Sequence, residues 1–325
     1  MAFIEYSAEP ELHDPVLVAA FGGWNDAADA ATTAIKFLIE SWKPLRFGEI
    51  DGEEFFLYTE TRPSIQFAKG SLRKVVWPGG RFFAHTDPQI GHDIVLYLGP
   101  EPQLRWKTFT REFLRVCKHL HISEALLLGA FLANIPHSAT VPISGFASHP
   151  ALVERLNELD VRDSRYEGPT GIVGVLQDAF NQAHIPNASL WAAAPHYLAA
   201  TPNIKVTAAL LTYLNTFLGT DLDLHDIQSD AVRFDEQITT LVERDPEASA
   251  YVHKLEEQAN ALEDEEEEED DDDDEDTDMV IHPDRTPGTG PLPSADSLIR
   301  SVEELLRKER EQQQQHSDDE DTNNT

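Results

Sequence analysis

An α/β fold, with helices on both faces of a mostly parallel sheet, is what this sequence predicts, and two observations carry that reading. Short apolar runs alternate with amphipathic stretches along the first 220 residues, the order in which a parallel sheet is buried between helices. The first run, Val16-Leu17-Val18-Ala19-Ala20, also passes through Phe21-Gly22-Gly23-Trp24-Asn25-Asp26 directly into a helical pattern of Ile35, Leu38, Ile39 and Trp42. That is a strand, a glycine loop and a helix. Asp26 is placed to cap a helix read as running from Ala27 to Trp42.

Further strands are read at Val75-Val76-Trp77, at Asp93 to Leu98, at Ala125 to Ala130 and at Ala188 to Ala193. A shorter one, Val141 to Gly145, is placed at a sheet edge because Pro142 cannot donate to a ladder. Helices are expected at Trp106–His119, Pro150–Leu159, Ile172–Ala183 and Lys205–Leu218, each with an apolar stripe at helical spacing. Between Gly48 and Phe83 the turn pairs Asp51-Gly52, Lys69-Gly70 and Gly79-Gly80 predict β-hairpins that add antiparallel strands. The expected organisation is therefore an α/β/α core at 1–220 with a hairpin insertion near 48–83, and a helical subdomain at 221–262 broken at Asp245-Pro246. A disordered acidic and Pro/Gly linker follows at 263–293, then an amphipathic helix at 294–311 and a disordered tail at 312–325.

Charge divides the chain at the same place. The formal net charge is −34, of which residues 263–325 carry −20 (25 acidic, 5 basic), including fourteen consecutive Asp and Glu at 263–276. Self-repulsion and hydration favour an extended, disordered run there. An acidic balance excludes nonspecific binding to nucleic acid or to an anionic membrane, which needs a basic surface. No apolar run approaches the length of a membrane span, and no charged segment precedes an apolar one as in a secretion signal, so the expectation is a cytoplasmic protein. The single cysteine, Cys117, lies in a helical pattern and reads as a buried apolar residue.

Candidate site residues fall in loops. Gly22 and Gly23 can bring backbone amides to an anion at a helix start, but GxGxxG and a P-loop lysine are missing, and a tight turn presenting Trp24 is favoured. Gly168, Thr170 and Gly171 form a second such loop, with Thr170 read as the cap of the helix beginning near Gly171. His137 and His196 each follow a buried strand, where open α/β sheets bind ligands. With Asn25 and Asp26 they can compose a hydrolytic or phosphorolytic site, although such histidines are more often loop anchors. His85, Asp87, His92 and Asp93 cluster loosely around Pro88 and Gly91 without metal-ligand spacing. No metal and no cofactor is expected, and no G-x-S-x-G elbow is present.

Several segments together resemble the proteasome assembly chaperone 2 family of bacterial and archaeal proteins, most closely its actinobacterial type. They are Phe21 to Ala31 (FGGWNDAADAA), Tyr58 to Pro63 (YTETRP), Ile135-Pro136-His137-Ser138, Gly168-Pro169-Thr170-Gly171, Trp191 to Tyr197 (WAAAPHY), and Thr201-Pro202-Asn203. The resemblance extends over about residues 10 to 310, apart from the acidic insertion, and includes the stretch after Leu292-Pro293-Ser294. It implies a three-layer α/β/α sandwich similar to the phosphorylase/hydrolase-like fold, and a homo-oligomer, a trimer. It also implies a non-catalytic, protein-binding role with proteasome subunits or another complex as partners. The sequence closes on Asp321-Thr322-Asn323-Asn324-Thr325, without the hydrophobic–tyrosine–any motif that such chaperones can insert into proteasome α-ring pockets, so docking by that route is not expected. The expectation is thus a protein-binding scaffold. The competing reading is a hydrolase or phosphorylase acting on a small polar substrate; a third makes the acidic run a nucleic-acid mimic.

Overall fold

The computed structural model describes residues 3–68, 72–164, 166–199 and 202–269. In chain order the elements begin with strands β1 (Ile4–Tyr6) and β2 (Val16–Gly22), a 3-10 turn (Ala27–Asp29) and helix α1 (Ala30–Trp42). Strands β3 (Leu45–Ile50), β4 (Ser64–Ala68), β5 (Leu72–Val76), β6 (Gly80–His85) and β7 (Ile94–Pro100) follow, then α2 (Trp106–His119). The rest is β8 (Glu124–Ala133), β9 (Ile143–Ala147), α3 (Pro150–Glu158), β10 (Arg162–Asp163), α4 (Ile172–Gln182), β11 (Asn187–Pro195), a 3-10 turn (His196–Leu198), α5 (Ile204–Leu218), α6 (His225–Arg244) and α7 (Pro246–Glu269).

Nine strands form one sheet in the order β1-β3-β6-β7-β2-β8-β11-β9-β10. Parallel pairing is confined to its centre, β7-β2-β8-β11, and to the short β9–β10 contact. The remaining neighbours are antiparallel, so the sheet is mixed rather than mostly parallel. The physical reason lies in the connections. A parallel neighbour needs a crossover of a dozen or more residues, usually a helix, and the chain between Gly48 and Phe83 contains none. The expected antiparallel addition is thus present as β3 and β6, while β4 and β5 form a separate two-stranded sheet. The strand after Val141 starts at Ile143, and β10 covers its outer edge, so it is not terminal. Pro142 stays outside it, its carbonyl accepting the Ala193 N–H.

Strand alternation sorts the core into two layers. From β2, Val16, Val18 and Ala20 face α1, α3 and α5. Leu17, Ala19 and Phe21 face α2 and α4, in a layer rich in aromatics: Phe21, Tyr97, Phe109 and Phe113 lie within 4.8–6.3 Å of one another by ring centroid. The result is a three-layer α/β/α sandwich. A third apolar cluster joins Tyr197 and Leu198 to Phe234, Ile238 and Val242 of α6 and to Ala248, Tyr251, Val252 and Leu255 of α7. The break between the helices is at Asp245-Pro246, where the Asp245 carboxylate caps α7 through the Glu247 and Ala248 N–H groups.

Helix α7 continues past Leu262 to Glu269, so the first part of the acidic run, expected to be disordered, is helical. Glu265 to Glu269 are five consecutive glutamates, and glutamate propagates a helix far better than aspartate. The rest of the acidic and Pro/Gly linker, the amphipathic stretch at 294–311 and the tail at 312–325 lie outside the described residues.

At Gly129 of β8 the neighbouring strand leaves no room for a side chain: a Cβ there sits 2.4 Å from Cε3 of Trp191, its register partner on β11. Gly129→Ala is expected to destabilise the fold by about 1–3 kcal/mol through forced displacement of that ring. Thermal unfolding followed by near-ultraviolet circular dichroism checks it, and an unchanged midpoint refutes the packing argument.

Candidate functional site

Both glycine loops meet at the C-terminal ends of the central strands, and a residue that neither loop contains joins them. Pro100 ends β7 beside Gly22 of β2, and the next residue, Glu101, donates its N–H to the Gly22 carbonyl at 2.7 Å. Its side chain then turns across the strand ends. Oε1 accepts the Asn25 Nδ2–H at 2.7 Å and the Ile172 N–H at 2.7 Å. Ile172 is the first residue of α4, so the carboxylate occupies the helix N-terminus, the place where an external anion binds. Gly171 has to be glycine because its Cβ falls 2.1 Å from Asn25 Oδ1. Gly23, at φ +119°, adopts a conformation open to glycine and packs over the Glu101 Cβ.

Two capping expectations are corrected here. Thr170 does not cap α4: its hydroxyl donates to the Gly171 carbonyl at 3.4 Å, and the cap residue is Gly171, without a side-chain hydrogen bond. Glu101, reaching in from seventy-one positions earlier, performs that service. Asp26 does serve α1, but from one turn further back, because Ala27–Asp29 is a 3-10 turn and α1 starts at Ala30. Its Oδ1 accepts from Ala31 N–H (2.7 Å) and Thr32 N–H (3.2 Å), and Oδ2 from the Thr32 hydroxyl (2.5 Å). Burial pushes the Asp26 carboxyl up to about 6, against those hydrogen bonds, which pull it down.

The histidines are held by the helical pair instead. The Tyr197 hydroxyl accepts the His137 backbone N–H (2.6 Å) and lies 2.8 Å from His137 Nδ1. With the Tyr197 hydroxyl donating to Nδ1, His137 is the Nε2–H tautomer and donates to Thr239 Oγ1 of α6 at 3.1 Å, while that hydroxyl donates to the Asp235 carbonyl. Lys205 Nζ donates to the His137 carbonyl and to the Asp235 carboxylate. His196 Nε2 pairs with the Tyr251 hydroxyl of α7 at 2.8 Å, and Ser138 donates to Glu256 of α7. The void beside His137 measures only about 10 Å³, room for one water at most. A larger cleft of about 330 Å³ lies between Glu5, Glu49, Asp51, Glu53, Tyr58 and Trp77 and contains none of the expected site residues. Asn25, Asp26, His137 and His196 thus direct their hydrogen bonds to Glu101, to α1, to Tyr197 and Thr239, and to Tyr251 respectively. Gly168 lies in the same loop as Gly171, packed under Tyr166. Among the described residues no three His, Cys, Asp or Glu side chains are grouped to hold a metal.

Glu101, Tyr197, Thr239 and Tyr251 are the residues sequence reasoning missed. For Glu101 the available signal is its place at a strand end, an acid between Pro100 and Pro102.

The profile of the PAC2 family matches residues 20–242 of this chain. The chain belongs to the PAC2 family. A PAC2 family protein of Streptomyces avermitilis is 39% identical, with a TM-score of 0.67, over 74% of this chain and 100% of its own. A proteasome-assembly chaperone homologue of Mycobacterium tuberculosis is 41% identical, with a TM-score of 0.65, over 73% and 99%. An archaeal proteasome activator of Pyrococcus furiosus shares the fold at 16% identity, with a TM-score of 0.60, over 73% and 97%. No curated protein matches significantly. The PAC2 match begins just before the Gly22-Gly23 loop and ends near the end of α6. It therefore spans the Glu101 junction and the His137 side of the helical docking, and leaves α7 outside.

In this PAC2 chain, Glu101→Ala is expected to cost about 1–3 kcal/mol, because the Ile172 N–H and the Asn25 amide lose their acceptor. The loss should shrink in phosphate or sulfate buffer, as an anion takes the vacated helix end. Glu101→Gln, which keeps an acceptor, should lose less. Chemical denaturation in chloride and in sulfate measures all three, and equal losses in both salts contradict the assignment.

A pH test addresses the helical pair. Burial lowers the pKa of both histidines; for His137 Lys205 adds to it, while Asp235 and Glu256 oppose it. A lowered folded-state pKa means the unfolded chain binds the proton first, so this stability is whole above about 6.5 and drains away as pH falls below it. Asp26 contributes the opposite slope, its share being full below about 4 and lost as pH rises through about 6. Protection of α6 and α7 amides against hydrogen exchange, corrected for the intrinsic rate at each pH, should therefore fall between pH 7 and pH 5 more than that of β2 and β8 amides. An equal fall everywhere rules out a local histidine effect.

Proposed function

We propose that this chain is a non-catalytic protein-binding scaffold of the proteasome-assembly-chaperone type, acting as a homo-oligomer, a trimer, with proteasome subunits as its partners. The observation that carries the reading is the occupation of the strand-end site by the chain's own groups. Glu101 fills the helix end that a substrate anion needs, His137 spends both ring nitrogens on Tyr197 and Thr239, and His196 spends its Nε2 on Tyr251. General acid–base work asks for such groups within hydrogen-bond reach of a substrate, and the void beside His137 holds about one water. The family supports the same reading, through a relative described as a proteasome-assembly chaperone homologue at 41% identity. The competing hydrolase or phosphorylase reading needs Asn25, Asp26, His137 and His196 to share a cleft, and their separate partners weigh against it.

The test is affinity capture with the full chain, acidic run included, from a lysate of an organism with a proteasome, followed by binding to purified α-type subunits. Recovery of α-type subunits and a sedimentation coefficient matching a trimer are expected. Capture of no proteasome subunit, together with turnover of nucleoside or ester substrates that is abolished by His137→Ala, transfers the chain to the enzyme class.

A further inference from the structure

The β4–β5 hairpin carries an apolar face that the rest of the described chain leaves exposed. Ile65 pairs with Val75 and Phe67 with Arg73, which puts all four on one side of the ribbon. Ile65, Phe67 and Val75 are 59%, 72% and 46% exposed, and Trp77, just past the strand and 5.0 Å from Tyr58 by ring centroid, is 55% exposed. A lone two-stranded ribbon is marginal in water, and a cluster of large apolar residues on it marks a contact. Among the described residues its two strands pair only with each other, so each has an outer edge there that can receive another strand. The ribbon is basic in an acidic protein. From Thr61 to Arg81 there are five Lys or Arg and no Asp or Glu, and Arg73 lies over the Phe67 ring at 5.6 Å.

The chain contains a segment of matching chemistry. Residues 270–282 read Asp-Asp-Asp-Asp-Asp-Glu-Asp-Thr-Asp-Met-Val-Ile-His, eight acids running into Met279-Val280-Ile281, the one apolar cluster between Leu262 and Leu292. Val and Ile favour extended backbone. We propose that residues 270–282 dock on the β4–β5 hairpin of the same chain. Met279, Val280 and Ile281 cover Ile65, Phe67, Val75 and Trp77, and the acids before them lie toward Arg62 and toward Arg73, on whose face the apolar cluster stands.

Reach and charge fit this placement. The hairpin leaves the sheet between Ile50 and Gly80, at the end where β7 finishes, since Gly80 and Arg81 lie against Ile50 and Leu98. Helix α7 docks at that same end, through Tyr251 on His196 and Glu256 on Ser138 beyond the ends of β11 and β8. Ten residues separate Glu269 from Met279, a span of up to about 35 Å. The acid-lined cleft at the hairpin's root, with Glu5, Glu49, Asp51 and Glu53, repels the acidic half and directs it toward Arg73. The docking segment lies beyond the PAC2 match, and the proposal does not depend on the proteasome reading.

The experiment uses the full chain in two forms. In the first, Met279→Ser, Val280→Ser and Ile281→Ser are combined, and hydrogen exchange of hairpin amides 64–67 and 73–76 is compared with wild type. Exchange about tenfold faster in the variant, with β2 and β8 unchanged, is expected, and raising salt from about 0.05 to 0.5 M should move wild type the same way. In the second, Phe67→Cys is combined with Ile281→Cys under mild oxidation; the native Cys117 is buried and does not compete. A 67–281 bridge within one chain is expected. Hairpin exchange indifferent to the triple substitution overturns the proposal, and so does a bridge that joins two copies, which would assign this face to self-association.

Discussion

The buried carboxylate of Asp26 is the constraint on which the arrangement of loops around the strand ends depends. Ala28 and Asp29, just after it, both stand at φ 52°, a left-handed conformation that costs non-glycine residues energy. Two such residues in sequence persist because Asp26 binds the first turn of α1 on their far side while its backbone bridges to Ala130 of β8. The neighbouring Asn25 carbonyl accepts the Ala130 N–H. One residue thus ties a helix start to the centre of the sheet, and the kinked turn lets the Ala28 carbonyl receive the Asn203 N–H at the entry to α5. Glu101 extends the same logic to α4. The parallel centre of the sheet delivers the strand ends, and buried or half-buried acids convert those ends into helix starts.

Much of this was legible in the sequence. Apolar periodicity located α2 at Trp106–His119 to the residue, and placed the buried strands around β2, β7, β8 and β11, because both layers of the core need their full complement of Val, Leu and Phe. The β4–β5 ribbon falls in the stretch that the sequence marks with glycine pairs. Gly80 itself, however, opens β6, Asp51 and Gly52 lead from β3 to a strand that does not pair with it, and Lys69 and Gly70 lie outside the described residues. What escaped were contacts between residues far apart in sequence. Thr170 stands where a cap belongs, but a carboxylate seventy residues upstream wins that position, and no local pattern announces it. The parallel character of the sheet was over-read for a related reason: strand composition reports burial, whereas direction is decided by the length and content of the connections.

The two halves of the strand-end surface are finished differently. Around β2, β7 and α4, Glu101 takes hydrogen bonds from Asn25 and from the first amide of α4, above the aromatic layer that runs from Phe21 to Phe113. Around β8 and β11 the loops are finished by α6 and α7, whose tyrosine and threonine hydroxyls meet two histidines. The helical pair thus rests on imidazoles whose burial disfavours the charged form, so that acid weakens it.

The carboxylate of Glu101 can also be viewed as a resident ligand. Because it belongs to the residue directly after a strand whose register is set by seven paired residues, it confronts the first amide of α4 at an effective concentration that a dissolved anion reaches only in the millimolar range or above. Any phosphate or carboxylate compound in solution therefore competes with an occupant that cannot diffuse away. The end of α4 keeps its backbone donor and meets a carboxylate of the chain itself, a helix end closed by occupancy.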